Sequence, residues 1–495
     1  MADEVKLQLR FAILFAIMTV VGCSPQSIPP PTSISQYRDM QAAHRPSYPR
    51  QTILLHNLQR VLDRDLDTQS RITSLKLATE LGSEEPIVLE QLAAVLADPK
   101  APPQLHDEAL AFLLSKDYPE LGKYVVKVLP QSKSSQPIRG MLLEWLARHP
   151  SASLLSEVVK AWGDAQPTNQ AEEAYFRTVV ERVTGRPWGK ALLHALNLTG
   201  FSARGSAIEV LARRLPKETL KAEILQMNAQ TEAVVVLQSF IRQFDYLPAT
   251  GTELLASASV HLTTAPELAE AAKVCEKWRR DYGYSFNIRD FHLLSRLAAR
   301  PEDAAVSRGQ LVSELSAVLL GRRHVRHWIV PASQPDQSAR FDKQVDRLTM
   351  ADLWNLRLLN EMLSRSSIQA ALAVMADQDR TDRLRAWGGL VFFQDGKAQA
   401  RLYPPDPQST AGDLVYSPSG RLLADGRDSL CRFQAHFETV HNPVRAGPGK
   451  DEMADAQSAN YYLLVLTSLS SSSFCAHYCN PDGVVVSLGE FPFVR

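Results

Sequence analysis

Thr68-Gln69-Ser70-Arg71-Ile72-Thr73-Ser74-Leu75-Lys76-Leu77-Ala78-Thr79-Glu80-Leu81, then Gly82-Ser83-Glu84-Glu85-Pro86, then Ile87-Val88-Leu89-Glu90-Gln91-Leu92-Ala93-Ala94-Val95-Leu96, is the stretch that decides the fold of most of the chain. Ile72, Leu75, Ala78 and Leu81 recur at the helical spacing of three and four, and so do Leu89, Leu92 and Leu96. That spacing keeps the apolar side chains on one side of a helix, whereas a strand would need a spacing of two. Between the stripes, Gly82 stops one helix, and Ser83 with the two acids is read as the N-cap and first turn of the next. Comparable proline starts follow at Pro103, Pro119, Pro137 and Pro150. Two such helices make a unit of roughly 34 residues, the period of stacked helical pairs.

A helical pair of this length buries its stripe only against its neighbours, so the expected product is an elongated stack, or solenoid. Period and helix polarity resemble HEAT-like repeats, and the Trp and Gly pattern of tetratricopeptide repeats is missing. The array is expected over residues 51–335, continuing less regularly through Pro187, Pro216 and Ala265-Pro266, with helices at Thr231 to Phe244 and Glu267 to Tyr282. A helical connector is expected over 336–380, with helices at Met350 to Leu363 and Ser367 to Ala376. Such arrays carry protein partners on a concave face; the other reading is a spacer that holds a terminal domain away from a membrane.

Outward to the N-terminus, Lys6 and Arg10 precede the apolar run Phe11 to Val21, and Val20-Val21-Gly22-Cys23-Ser24 follows. The run is too short to span a bilayer, which takes roughly 20 apolar residues, and has the length of a signal-peptide core. Two aliphatics, a small residue and Cys resemble the lipobox of bacterial lipoproteins. The resemblance implies export, cleavage of residues 1–22 and lipidation of Cys23, with Ser24 implying the outer membrane, facing the periplasm. Residues 23–50 hold Pro25, Pro29, Pro30, Pro31, Pro46 and Pro49 and are read as an extended tether.

Composition narrows the partners. Lys plus Arg equals Asp plus Glu at 54 each, so no polyanion is implied and nucleic acid is not an expected partner. Two basic clusters are read structurally: Arg322-Arg323-His324-Val325-Arg326-His327-Trp328 as the cationic end of the helix from Ser307 to Leu320, and Lys277-Trp278-Arg279-Arg280-Asp281-Tyr282 as a surface helix. No phosphate loop, dinucleotide fingerprint or nucleophile elbow occurs.

After residue 380 the pattern changes to short apolar runs separated by turn residues. Strands are expected at Gly389 to Phe393 and Ala398 to Tyr403, joined by an Asp395-Gly396 hairpin, then at Leu430 to Phe437, Tyr462 to Thr467, Phe474 to Tyr478 and Val484 to Leu488. A helix is expected over Lys450 to Tyr461. The fold class is therefore multidomain: an all-α helical-repeat solenoid followed by a small α+β domain at 381–495.

Trp387-Gly388-Gly389-Leu390, then Phe433-Gln434-Ala435-His436, then Ala446-Gly447-Pro448-Gly449-Lys450-Asp451-Glu452 resembles the JAB/MPN metallopeptidase fold. The active pattern of that family has a Glu before the first strand, a His-x-His pair, and Ser-x-x-Asp at a helix start, which together hold a zinc ion and activate its water. Matched residue by residue, the base position is Ala386, the first imidazole is Gln434, the second is His436, the Ser position is Gly449, and the acid falls on Glu452, or on Asp451 if the loop is one residue shorter. One imidazole and one carboxylate are fewer than the three protein ligands of a catalytic zinc. The resemblance thus implies a non-catalytic member without a cofactor, a pseudoenzyme; the alternative is a divergent zinc-dependent peptidase. Single Ala substitutions of Gln434 and His436 are expected to shift stability by about 1 kcal/mol or less if both sit outside the core.

Cys475, His477 and Cys479 alternate along one strand and line one of its faces. They are read as packing residues, or one of the cysteines as the disulfide partner of Cys431, in preference to a metal site.

Overall fold

The computed structural model describes residues 30–42, 48–98, 100–118, 144–146, 148–149, 152–165, 170–197, 201–263, 265–326, 339–381, 386–394, 397–404, 419–426 and 429–495, with Leu121 and Pro167 as isolated positions. Cys23, the segment 1–22, the starts at Pro119, Pro137 and Pro150, His327, Trp328 and the Asp395-Gly396 turn lie outside them. The described chain is a helical region followed by a mixed six-stranded sheet. It divides between Ala191 and Leu192 into two compact units.

In the first unit, helices run over Ile34–Ala42, Arg50–Leu62, Thr68–Leu81, Pro86–Ala97, Pro103–Ser115, Ala152–Ala165 and Gln170–Thr184. Ile72, Leu75, Ala78 and Leu81 are all buried. In the next helix the buried set includes Val88, Leu92, Ala93, Val95 and Leu96, so the stripe starts at Val88, not Leu89. Its N-cap is Glu85, not Ser83, because Pro86 takes the first helical turn, where its missing N–H costs nothing. Arg50–Leu62 packs on Thr68–Leu81, Pro86–Ala97 on Pro103–Ser115 and Ala152–Ala165 on Gln170–Thr184, and alternate helices also meet: Arg50–Leu62 with Pro86–Ala97, and Thr68–Leu81 with Pro103–Ser115. Part of the stretch expected to be extended is instead the helix Ile34–Ala42. Its sequence lacks proline, and Ser33 and Gln36 supply a cap: Gln36 N–H donates to Ser33 Oγ at 3.2 Å and Thr32 N–H to Gln36 Oε1 at 2.9 Å.

The second unit combines helices with the sheet. Glu232–Phe244 and Ala265–Tyr282 lie close to the expected ranges, as do Arg308–Leu319, Met350–Leu363 and Ser366–Thr381. Ser307 with Gln310, and Thr349 with Asp352, close capping boxes at two of these starts. Met350–Leu363 buries residues all round its surface, including Leu353, Trp354, Leu356 and Leu359, as a helix enclosed by its surroundings does.

All six expected strands form: β1 Trp387–Gln394, β2 Lys397–Tyr403, β3 Cys431–His436, β4 Leu463–Ser468, β5 Ser473–Cys479 and β6 Val485–Pro492. Their order is β2-β1-β3-β4-β5-β6. Only β3 and β4 pair in parallel, so the chain must cross over between them, and Lys450–Ser458 is the crossover helix. That helix is shorter than expected because Asn460 turns the chain with φ +52°.

The sheet buries both faces. Phe433, Leu464, Leu466, Phe474, Tyr478 and Leu488 join the main core with Trp354, Phe244 and Phe291. Val465, Cys479 and Val485 pack on the other side with Ala456 and Met453 of the crossover helix. The outer edge of β6 is covered by chain: Ser487 N–H donates to Ala339 O at 2.6 Å and Glu490 N–H to Arg323 O at 3.0 Å. The basic cluster lies along this edge, where Arg322 Nη1 donates to Leu488 O at 2.9 Å and His324 Nδ1 is 3.0 Å from Ser487 Oγ.

Two buried carboxylates tie the sheet to the helices. Asp290 accepts from the hydroxyls of Tyr284 and Tyr462, each at 2.5 Å. Asp352 accepts from Tyr478 at 2.6 Å and from the amide of Asn480 at 3.2 Å.

Candidate functional site

Period-two alternation puts Arg432, Gln434 and His436 of β3 on the face away from the main core. His436 ends the strand and is 2% exposed. Beyond it the chain runs through a loop stabilised by Glu438, which accepts from Asn442 Nδ2 at 2.7 Å and Arg445 Nη1 at 2.9 Å. Gly447, at φ +90°, then turns the chain into the crossover helix.

Gly449 is the N-cap of that helix, which places Glu452 at its third position. Of the two acids left open by the sequence, Glu452 is the one brought to His436, and Asp451 is exposed. Glu452 Oε1 is 3.0 Å from His436 Nε2, and Oε2 accepts the Gly449 N–H at 2.6 Å. His436 Nδ1 is 3.1 Å from the Arg445 carbonyl oxygen.

Burial pushes the Glu452 carboxyl up, but the hydrogen bond and charge of His436, the Gly449 N–H and the charge of Arg445 outweigh it and hold the group below its ordinary value. Both ring nitrogens thus face oxygen acceptors, Nε2 the Glu452 carboxylate and Nδ1 the Arg445 carbonyl. A nitrogen that carries a proton has no lone pair to offer a metal. The geometry is that of a hydrogen-bonded pair that fastens a helix start to a strand end.

The remaining matched positions offer little chemistry. Ala386 is a buried methyl group, and Gln434, 8% exposed, has an amide nitrogen without a partner. Among the described residues, no group of three or more His, Cys, Asp or Glu side chains could hold a metal ion.

The strand pairing brings together two sets of residues that the sequence kept apart. Gln434 lies across Val465 from His477, and His436 lies across Thr467 from Cys475, all on one face. Strand β4 stands between each pair, so the separation is two strand spacings, about 9.6 Å. Burial pushes the Cys475 and Cys479 thiols up to about 12, which keeps them protonated and unreactive at neutral pH.

Cys431, Cys475 and Cys479 are free and buried, so the disulfide is not formed. Cys431 belongs to the main core while Cys475 and Cys479 pack on the opposite face, and β4 separates β3 from β5. Two strand spacings exceed the Cα separation a disulfide can bridge, about 7 Å.

No family model, curated protein or solved structure matches the chain. The reading of this face therefore rests on its own residues. The Arg445 carbonyl and the Gly449 N–H complete the His436–Glu452 pair; Arg445 was not singled out from the sequence, and Gly449 only as the position matched to Ser. The signal within reach was positional: an acid three residues after a glycine that opens a helix.

Proposed function

We propose that this chain is an exported, lipid-anchored envelope protein that acts as an interaction scaffold, and that its C-terminal sheet region is a non-catalytic relative of the JAB/MPN metallopeptidases. The observation that carries the second half is the hydrogen bond between His436 Nε2 and Glu452 Oε1 at 3.0 Å. It uses, for structure, the nitrogen and the carboxylate that a zinc ion would need. The position of Gly449 as N-cap with Glu452 three residues on supports the match to Ser-x-x-Asp at a helix start.

The anchoring half is supported by Val20-Val21-Gly22-Cys23 after a short apolar run, and by the lack of any helix among the described residues that is long and apolar enough to cross a membrane. The lipid would place the protein at the outer membrane, facing the periplasm, with HEAT-like helical pairs in solenoid order presenting a surface for a protein partner.

The test of the family reading is a combined Ala386→Glu, Gln434→His, Gly449→Ser and Glu452→Asp variant. If the backbone keeps the geometry of that fold, the variant gains zinc affinity that the wild type lacks, because ligand identity is then the main defect. A folded variant with no gain would count against the JAB/MPN relation. Zinc-dependent peptide hydrolysis by the wild type would favour the divergent peptidase instead.

A further inference from the structure

At the opposite end of β3 from His436, a cavity of about 110 Å³ opens between the starts of β3 and β4 and the helix Gly251–Thr263. Two guanidinium groups line it. Arg289 stacks on Tyr462, with its central carbon 5.0 Å from the ring centre, and Arg432 stacks on the preceding residue, Tyr461, at 4.0 Å. These are cation–π contacts on consecutive tyrosines, which hold both guanidinium planes in place.

Some of their N–H donors are left over. Arg289 is held by Asn460 Oδ1 and by Asp482 Oδ2 at 3.4 Å, and its Nε makes no hydrogen bond although Asp290 Oδ1 lies 3.9 Å away. Arg432 meets no carboxylate among the described residues, and its Nε is likewise buried and unpartnered. An orphaned buried donor is costly, and a charged one more so. The acid on the wall is already engaged, since Glu253 accepts from Asn460 Nδ2 at 2.9 Å and from Ala249 N–H at 2.7 Å. Ile288 and Leu430 supply an apolar wall that strengthens any charge pairing inside.

We infer that this cavity is a binding site for a small oxyanion group, a carboxylate or phosphate, held between Arg289 and Arg432. Planar guanidinium forks suit both anions, and an Nε–H beside an Nη–H makes the bidentate edge that such groups occupy. The volume is well below that of a drug-sized pocket, about 300 Å³ or more, so it takes the anionic end of a ligand and leaves the rest outside. The site does not depend on the reading of His436 and Glu452.

The test titrates inorganic phosphate, and separately succinate, into the full chain by calorimetry, with ionic strength held constant by sodium chloride. Saturable binding of phosphate alone identifies a phosphoryl ligand, and binding of succinate identifies a carboxylate. In either case Arg432→Gln is expected to weaken binding by about tenfold or more. Gly426→Val is a second variant: Gly426 has φ −62°, acceptable to any residue, and a Cβ there would stand 3.5 Å from Arg432 Nε. It narrows the cavity with both arginines in place and is expected to abolish binding. Failure of both anions to saturate would overturn the proposal. So would wild-type affinity in Arg432→Gln, or, if that variant does not fold, wild-type affinity in Gly426→Val.

Discussion

His436 Nε2 stands 3.0 Å from Glu452 Oε1, and the same ring reaches the Arg445 carbonyl oxygen 3.1 Å from its other nitrogen. One imidazole thus joins the end of β3, the loop after it and the start of the crossover helix. Replacing His436 by Ala removes the hydrogen-bond partner of a partly buried carboxylate, and the expected loss is about 2 kcal/mol. This exceeds the 1 kcal/mol or less expected from sequence, because that figure assumed a residue outside the core. Urea unfolding of the wild type, His436→Ala, Glu452→Gln and the double variant measures it, and the double variant should cost less than the sum of the singles.

The pair also sets a pH dependence. The folded-state carboxyl of Glu452 is held below its ordinary value of 4.5. Its contribution is therefore fully present above that value and is lost as pH falls through the folded-state value. Unfolding midpoints of the wild type should decline more steeply below pH 4.5 than those of Glu452→Gln. Parallel curves for the two proteins would remove Glu452 from the explanation.

Asp290 behaves in the opposite sense. Its burial pushes the carboxyl up, against the lowering effects of Arg289, Tyr284 and Tyr462. Stability from this group is greatest below the ordinary aspartate value of 3.8 and falls as pH rises through the folded-state value. Tyr462→Phe removes one of the two hydroxyls that satisfy Asp290, and is expected to cost about 1–3 kcal/mol at neutral pH. Asp290→Asn should narrow that cost, since the buried charge is gone.

Gly389 is required by a close approach. A Cβ there would collide with the backbone carbonyl of Arg401 on β2 and lie 2.5 Å from Cζ of Phe433, whose ring covers the glycine from β3. Gly389→Ala is expected to destabilise by about 1–3 kcal/mol through overpacking, read as a lower thermal midpoint. Pairing it with Phe433→Leu, which withdraws the ring, should recover part of the loss.

How much of this was legible in the sequence depends on how far apart the partners lie. The six strands emerge within a few residues because period-two runs and turn residues are local, and Pro86, Ser307 and Thr349 mark helix starts by their own chemistry. Non-local pairing was not legible. Nothing in residues 431–479 announces that β3 and β4 pair in parallel, so the shared rows Gln434–Val465–His477 and His436–Thr467–Cys475 could not be foreseen. The choice between Asp451 and Glu452 turned on whether Gly449 or a neighbour caps the helix, a one-residue matter. Ser33, by contrast, was readable as an N-cap, with Gln36 three residues on, inside a segment whose prolines point to extended chain. Arg289 and Arg432 gave no warning, since their common cavity joins residues more than a hundred positions apart.

Anchoring has its own check. Cys23→Ser removes the thiol that must take up the lipid, so the precursor should stay unprocessed and carry no labelled fatty acid. A mature, lipid-labelled Cys23→Ser protein would rule out Cys23 as the site.

The central claim, that His436 and Glu452 form a closed structural pair and not part of a zinc centre, is tested most directly by elemental analysis of the purified full chain after incubation with zinc and removal of the excess. Substoichiometric zinc, equal in the wild type and in His436→Ala, is the expected result. Stoichiometric zinc that is lost in His436→Ala while the fold is retained would contradict it.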